Sequence, residues 1–291
     1  ADGAGHPLAG RAWLPRSRTF VAPDALVAMA KGADAVLLGE THDNPDHHAL
    51  QAWMVRQLDS PRVAFEMIDG GQEDKLRRHL AARPGDAAGI GPALDWDKSG
   101  WPDWTLYRPI AEAALAAGAT IAPANLSRAD TRALGRGEAP ELAARLELDR
   151  PLPPEVEDAL AREIKDSHCG MLPDKAVPAM MTVQRARDRV MAQALVDGLA
   201  EGRPAILIAG SGHVRTDRAV PVHVAALRPG TRSFAIGFVE VQDDATDPAA
   251  YAEAYDADSL PFDAVVFTPR AQRADQCEEL RKHMERKGKA G

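Results

Sequence analysis

The sequence has few cysteines, few aromatic residues and no long apolar run. Of its 291 residues, two are cysteine and 5% are aromatic. The cysteines, Cys169 and Cys277, lie far apart and match no metal-ligand spacing, so they indicate either one disulfide or two unrelated thiols. No apolar run approaches the roughly 20 residues of a membrane span. The composition therefore predicts neither a cysteine-ligated metal centre nor a helix that crosses a bilayer.

Basic residues are also outnumbered. The chain has 35 lysines and arginines against 43 acidic residues, which gives a net charge of -8. No long basic cluster appears before the C-terminal stretch RKHMERKGKAG, so nucleic acid is not an expected partner. The chain begins at Ala1 rather than at Met, which fits either a trimmed protein or a mature protein whose secretion signal was removed.

The stretch from residue 33 to 53 has the clearest pattern. An apolar run over residues 35–38 breaks at Gly39 into a polar turn, and Pro45 then opens a segment with helical apolar spacing. This predicts a buried strand, a turn and an amphipathic helix with Asn44 as its N-cap. In open α/β sheets, ligands bind beyond the carboxyl ends of the strands, where this turn would lie.

The remaining pattern predicts an α/β fold, with a mostly parallel sheet flanked by helices. We expect an α/β domain over residues 1–125 and 202–291, and an inserted helical subdomain of about four helices over residues 126–201. The opening residues look like an extended arm on the surface, and residues 83–101 look like a loop. Further strands are predicted at 62–68, 119–123, 205–209, 220–227, 233–239 and 264–267, and helices at 23–31, 70–82, 104–117 and 272–287.

Polar residues follow or interrupt four of these strands. They are Glu40 with His42, then Glu66, Asn125 and His213. Because parallel strands share one carboxyl edge, we expect these side chains to meet in one pocket. A carboxylate inside a buried strand costs several kcal/mol unless it is paired, so Glu66 should face polar groups.

Carboxylate with imidazole suits acid and base catalysis or divalent metal ligation. One hypothesis is therefore a metal-dependent hydrolase, peptidase or esterase-like, that uses Glu40, His42, Glu66 and His213. Glu40, His42 and His213 would be its metal ligands. The alternative is that these residues only cap helices and stabilise loops. For His47 and His48 we favour a solvated or helix-packing role.

A second group of residues could hold haem. Tyr107 or His168 could ligate the iron, Arg108 could bind the propionates, and methionines such as Met171 and Met180 could line the macrocycle. The alternative is structural, since methionines at helical spacing usually belong to a core. A tyrosine on a helix also usually packs its ring.

Several blocks resemble one family. They are HPLAG at 6–10, VLLGETHDNPDHHALQ at 36–51, FEM at 65–67, WTLYRPI at 104–110, SHCGMLP at 167–173 and GSGHVR at 210–215. Together they are similar to the ChaN family of iron-regulated, haem-binding lipoproteins, which is grouped with the TIKI, TraB and erythromycin-esterase-like proteins. The block GETHDNPDHH is long enough to be specific.

The resemblance implies a parallel sheet with a small helical domain, and haem as the ligand. It implies a homodimer that holds haem between its subunits, with Tyr107 as the iron ligand and His168 of the partner subunit assisting at the propionates. Tyr251 and Tyr255 are alternatives to Tyr107.

It also implies haem or iron uptake in the periplasm or at the outer membrane, with an outer-membrane haem receptor as a possible partner. Attachment would be through a lipidated cysteine upstream of Ala1. The enzymatic branches of the superfamily resemble the chain at GETH and GSGH, which supports the hydrolase alternative with a divalent metal.

Overall fold

The fold is an eight-stranded sheet covered by helices on both faces. The computed structural model describes residues 2–275, 277–278 and 281–282. The strands of the described residues are β1 (Ala12–Leu14), β2 (Thr19–Val21), β3 (Ala35–Glu40), β4 (Arg62–Asp69), β5 (Thr120–Asn125), β6 (Ala205–Gly210), β7 (Ser233–Glu240) and β8 (Ala264–Thr268). Their order is β2-β1-β8-β7-β3-β6-β4-β5.

The helices are α1 (Pro23–Lys31), α2 (Pro45–Leu58), α3 (Glu73–Ala82), α4 (Ile90–Ala93), α5 (Trp104–Ala116), α6 (Arg128–Gly135), α7 (Pro140–Arg145), α8 (Pro154–Ser167), α9 (Val177–Gly198), α10 (Ser211–Val214) and α11 (Val220–Leu227). Short 3-10 turns occupy Gly70–Gln72, Trp96–Lys98, Asp174–Ala176 and Pro248–Tyr255. Among the described residues, no helix is both long and apolar enough to cross a bilayer.

The sheet is parallel from β5 across to β8. Strand β3 lies near its middle between β6 and β7, and each of its six residues is buried. Short apolar runs without alternation are typical of strands that are covered on both faces. Because the strands are parallel, the carboxyl ends of β3, β4, β5 and β6 meet at one edge of the sheet. The predicted α/β class is confirmed.

Each face of the sheet has its own core. On one face, α1, α2 and α5 cover Leu38 and Phe65. On the other face, the second half of α9 packs Met191 and Leu195 against Leu37. The helical layers therefore enclose the sheet and leave its carboxyl edge as the place where polar residues collect.

Residues 126–201 contain four α-helices, α6 to α9, as the sequence predicted. The first half of α9 contacts α6, and its second half packs on β4, β5 and β6. The longest helix thus joins the helical segment to the sheet. The division of the chain into 1–125 with 202–291 and an inserted 126–201 stays a prediction.

Two local predictions were wrong. Residues 220–227 form helix α11 rather than a strand, with Pro221 in its first turn and Val220 and Val224 buried one turn apart. The opening segment is not a surface arm, because β1 and β2 form an antiparallel hairpin that extends the sheet next to β8. A short run of apolar and β-branched residues such as 220–227 fits a buried strand as well as a buried helix, so periodicity alone does not separate the two.

Other segments are more ordered than the sequence indicated. The predicted loop 83–101 contains α4 and a 3-10 turn, and its Trp96 is buried with the indole N–H donating to the Pro102 carbonyl at 2.8 Å. Cys169 and Cys277 form a disulfide, which decides between the two alternatives left open by the sequence. Half of the closing helix predicted over 272–287 lies outside the described residues, and residues 272–275, which are described, are not helical.

The central strand should carry much of the stability. We expect Leu37→Ala to lower the free energy of unfolding by about 2–5 kcal/mol, because the removed atoms leave a cavity in a fully buried site. Urea denaturation measures this change. Val222→Ala, at a side chain that is 44% exposed, is the control and should change the free energy by less than about 0.5 kcal/mol. Equal effects of the two substitutions would contradict the burial assigned to β3.

Candidate functional site

The turn after β3 is held in place by buried polar side chains. Asn44 caps α2 by accepting a hydrogen bond from the Asp46 N–H at 2.9 Å, and it donates to Glu240 at 2.7 Å. His47 Nδ1 accepts from the Thr41 N–H at 2.8 Å, so its Nε2–H donates to Thr268 Oγ1 at the same distance. Burial lowers the pKa of His47 to about 4, which keeps the ring neutral. The turn is thereby fixed to β8.

Glu40 ends β3 as a buried carboxylate that faces two imidazoles and a phenol. Its Oε1 lies 2.8 Å from His42 Nδ1 and accepts a hydrogen bond from the Tyr107 hydroxyl at 3.2 Å. Its Oε2 lies 3.0 Å from His48 Nδ1. Burial alone would raise the pKa of Glu40, but His42 and His48 outweigh it and hold the pKa below its ordinary value. Glu40 therefore carries its charge inside the protein.

Glu66 forms a second buried centre with His213 and Asp188. The Gly210 N–H donates to Glu66 Oε2 at 2.7 Å, and His213 Nε2 lies 3.2 Å from Glu66 Oε1. On its other side, His213 Nδ1 donates to Asp188 Oδ1 at 2.6 Å. The imidazole thus bridges β4 to α9, with both of its nitrogens facing carboxylates.

The charges of this second centre follow from its geometry. Burial would lower the pKa of His213, but Glu66 and Asp188 raise it to about 10, so the ring is an imidazolium. The pKa of Glu66 falls to about 2 because His213 outweighs the effect of its burial. Burial raises the pKa of Asp188 to about 6 against the attraction of the imidazolium.

His42 lies between the two centres and is the open member of the group, because its side chain is 36% exposed. Its ring packs edge-on against Trp101 at 4.9 Å and lies so close to Gly210 that a Cβ there would come within 2.9 Å of His42 Cε1. Burial would lower the pKa of His42, but Glu40 and Glu66 raise it above its ordinary value. A histidine oriented by a carboxylate can accept or donate a proton.

The four residues predicted from the sequence, Glu40, His42, Glu66 and His213, therefore do come together at the carboxyl edge. Asn125 is close by and donates to the Glu66 carbonyl at 3.0 Å. Whether any of them has a catalytic role stays a prediction.

The metal-ligand set Glu40, His42 and His213 is not supported. Within the described part of the chain, no group of three or more His, Cys, Asp or Glu side chains is arranged to hold a metal ion. The physical reason is that these groups face one another. Glu40 and His42 are bonded together, and both nitrogens of His213 face carboxylates.

Tyr107 does not lie where a haem could reach it. Its side chain is fully buried against His48 and Trp96, and its hydroxyl donates to Glu40. Burial and the carboxylate of Glu40 raise its pKa far above the ordinary range, so the phenol stays protonated. An iron atom could reach this oxygen only after the surrounding side chains had moved.

The other predicted haem residues are spread over two regions. Arg108 lies on the outer side of α5, where it pairs with Glu112 at 2.6 Å rather than with His168. His168 ends α8 half-buried, and the Met171 N–H donates to its carbonyl at 3.0 Å. Met180 and Met181 lie half-buried in the first turns of α9. The structure thus does not bring Tyr107 and Arg108 to His168.

Sequence reasoning missed three members of the network. For His48 the sequence indicates a solvated or helix-packing role, and the structure buries its ring beside Glu40 and against Tyr107. Asp188 and Trp101 were not considered. The available signal for Asp188 was an acidic residue within the apolar part of a long helix, which requires a partner when it is buried. Trp101 carried no comparable signal.

The His213 bridge makes a testable prediction. In an NMR titration, we expect His213 to stay protonated through pH 8, in line with a pKa of about 10. Asp188→Asn should lower that pKa by roughly one to three pH units, because one of two facing carboxylates is removed.

Asp197→Asn is the matched control, because Asp197 is an exposed carboxylate on the same helix. It should leave the pKa of His213 unchanged. Titration of His213 near pH 6.5 in the unaltered protein would contradict the bridge.

Comparison with known proteins agrees with this fold. The structure is similar to that of ChaN of Campylobacter jejuni, described as showing cofacial heme binding, with a TM-score of 0.67 and 22% identity. That match covers 88% of this chain and 95% of the other. No curated protein sequence matches the chain.

Two further structures align less closely with this one. The type III effector HopBA1 aligns with a TM-score of 0.47 and 15% identity over 85% of this chain and 93% of its own. An erythromycin esterase, EreC, in its open conformation aligns with a TM-score of 0.46 and 13% identity over 91% and 99%.

The family model described as "Haem-binding uptake, Tiki superfamily, ChaN" matches residues 26–224. This range begins in α1 and ends in α11, so it spans β3 to β6, the Glu40 and Glu66 centres and all four helices of the helical segment. The chain therefore belongs to the haem-binding ChaN family of the Tiki superfamily.

Proposed function

We propose that this protein binds haem at the surface formed by the end of α8, the turn over residues 168–173 and the start of α9. The observation that carries the proposal is the state of His168. Its Nδ1 donates to the Ile164 carbonyl at 2.7 Å and lies 3.1 Å from Ser167 Oγ. This fixes the proton on Nδ1 and leaves the lone pair on Nε2.

A histidine in this state is suited to bind iron. Metal-ligating histidines almost always donate their other ring N–H to a carbonyl, a carboxylate or water, which fixes the tautomer and the ring orientation. His168 is also only half-buried, so its side chain has an open face. When bound, haem would supply an iron atom that Nε2 of His168 would hold.

The neighbouring side chains suit a flat apolar ligand. Met171, Met180 and Met181 are half-buried rather than enclosed in the core. Methionine is flexible and polarizable, and it adapts to irregular aromatic surfaces. These residues would cover the macrocycle while His168 holds its iron.

We assign the iron to His168 rather than to a tyrosine of this chain. Tyr107 is enclosed, and Tyr251 is buried with its hydroxyl donating to the Ala245 carbonyl at 2.9 Å. Burial also raises the pKa of Tyr255 to about 12, which disfavours the phenolate that ferric iron requires. This departs from the role that the family resemblance implied for Tyr107.

We further propose that two copies of the chain enclose the haem, and that the protein serves haem or iron uptake. The half-buried methionines support a second subunit, because they would become fully covered in a dimer. The cofacial heme binding described for the Campylobacter protein points the same way.

The Cys169–Cys277 disulfide supports an oxidising compartment such as the periplasm. There the protein would be lipid-anchored and would exchange haem with an outer-membrane receptor.

A haemin titration tests the ligand. We expect a saturable Soret shift in the unaltered protein, and affinity at least about tenfold weaker in His168→Ala, because the side chain that would hold the iron is lost. Tyr107→Phe should keep the affinity. His79→Ala is the matched control, since His79 is also half-buried and also bonds a backbone carbonyl, that of Asp86 at 3.0 Å.

The same samples test the dimer by sedimentation, where haemin should increase the dimer fraction. Absence of a saturable shift would overturn the proposal. A loss of affinity in folded Tyr107→Phe, with none in His168→Ala, would move the ligand back to Tyr107.

A further inference from the structure

Apart from the proposed haem surface, a cleft opens at the carboxyl ends of β4 and β5, beneath α6 and α9. Its volume is about 270 Å³, at the lower limit of the roughly 300–1,000 Å³ typical of ligand pockets. Three arginines line it, Arg128 and Arg132 from α6 and Arg187 from α9. The proposed haem surface uses none of these residues.

Within the described part of the chain, Arg187 has no internal partner that explains its position. Among the described residues, its Nε is buried without a hydrogen-bond acceptor, and no carboxylate there lies within ion-pair distance of its guanidinium. Arg128 donates one guanidinium N–H to the Lys98 carbonyl at 2.6 Å. Arg132 is exposed at the cleft. A buried donor without an acceptor costs free energy that a bound acceptor would recover.

The acceptors of the cleft wall are mostly in use. Gln72 Oε1 accepts from the Asp69 N–H at 3.0 Å, and Asn125 Oδ1 accepts from the Leu126 N–H at 2.8 Å. Glu66 is occupied by Gly210 and His213. The groups that face the cleft without a partner are thus mainly donors, which calls for a ligand that accepts hydrogen bonds.

The charges in the cleft agree with this requirement. Three guanidinium groups face two carboxylates, Glu66 and Asp69. Glu66 is already balanced by the imidazolium of His213, and one oxygen of Asp69 accepts from the Gly71 N–H at 2.7 Å. The cleft therefore has an excess of positive charge although the whole chain carries a net charge of -8.

One wall of the cleft is aromatic. Trp101 lines it, and its ring contacts the edge of His42. Met67 and Leu126 add apolar surface nearby. A ligand in this cleft would place a flat apolar group beside Trp101 and an anionic group beside the arginines.

We propose that this cleft is a binding site for a small organic oxyanion, a carboxylate or phosphate ester with a flat apolar group. Arg187 and Arg132 pair with the oxyanion through charge-assisted hydrogen bonds. Trp101 stacks with the apolar group. His42, whose ring lies 4.9 Å from that of Trp101 and whose side chain is 36% exposed, is the residue of the network placed to exchange a proton with the ligand.

NMR titration with benzoate and with phenyl phosphate tests the site, and benzamide is the neutral control. The indole N–H signal of Trp101, assigned through its loss in Trp101→Phe, reports binding. We expect a saturable shift with an anion and none with benzamide. Preference for one anion identifies the headgroup.

Arg187→Gln should weaken anion binding at least about tenfold, since one charge-assisted pair is lost. If Arg187→Gln fails to fold, Arg132→Gln at the exposed position replaces it, and it should also weaken anion binding. Arg56→Gln, which removes an exposed positive charge from α2, is the matched control and should not change the affinity.

Three results would overturn the proposal: no shift with either anion, an equal shift with benzamide, or equal weakening by Arg56→Gln. No haem is present in these titrations, so their outcome is independent of haem binding.

Discussion

The imidazolium of His213, held between Glu66 and Asp188, is the interaction on which the carboxyl edge depends. It joins three parts of the chain that lie far apart in sequence: β4, α9 and the turn after β6. Removing one partner of a buried ion pair typically costs about 3–5 kcal/mol, because the remaining charge is left without compensation. The long helix of the helical segment is therefore tied to the sheet by charge as well as by apolar packing.

The bridge also has a defined pH range. The folded-state pKa of His213 is raised from 6.5 to about 10, so its contribution to stability is complete below pH 6.5 and is lost as the pH rises through about 10. The pKa of Glu66 is lowered from 4.5 to about 2, so its contribution is complete above pH 4.5 and is lost as the pH falls through about 2. The effect of Asp188 on stability is opposite to that of Glu66: its pKa is raised from 3.8 to about 6, so burying the charged form reduces the stability of the fold above about pH 6.

Much of the fold could be predicted from the sequence because local signals agreed with the tertiary structure. The apolar run ending at Glu40, the Asn44 cap and the Pro45 start of α2 all lie as expected. The convergence of Glu40, Glu66 and His213 followed from parallel strands alone. Residues 220–227 were misassigned because a run of apolar and β-branched residues suits a buried strand and a buried helix equally.

Other features of the site depend on distances between segments, which the sequence does not contain. The burial of Tyr107 results from the packing of α5 against α2, and a resemblance of motifs could not reveal it. Asp188 reaches His213 only because α9 crosses the sheet. The three-arginine cleft likewise joins α6 and α9, which are separated along the chain by α7 and α8.

These observations divide the molecule into a buried ionic network and a separate surface with open methionines and His168. The most direct test of this division is to map bound haemin by NMR, because ferric haem broadens the signals of nearby nuclei. We expect the broadening to centre on the amides of residues 168–181 and to leave those of Tyr107 and His42 sharp. Broadening centred on Tyr107 and His42 would contradict the account and place the haem in the ionic network.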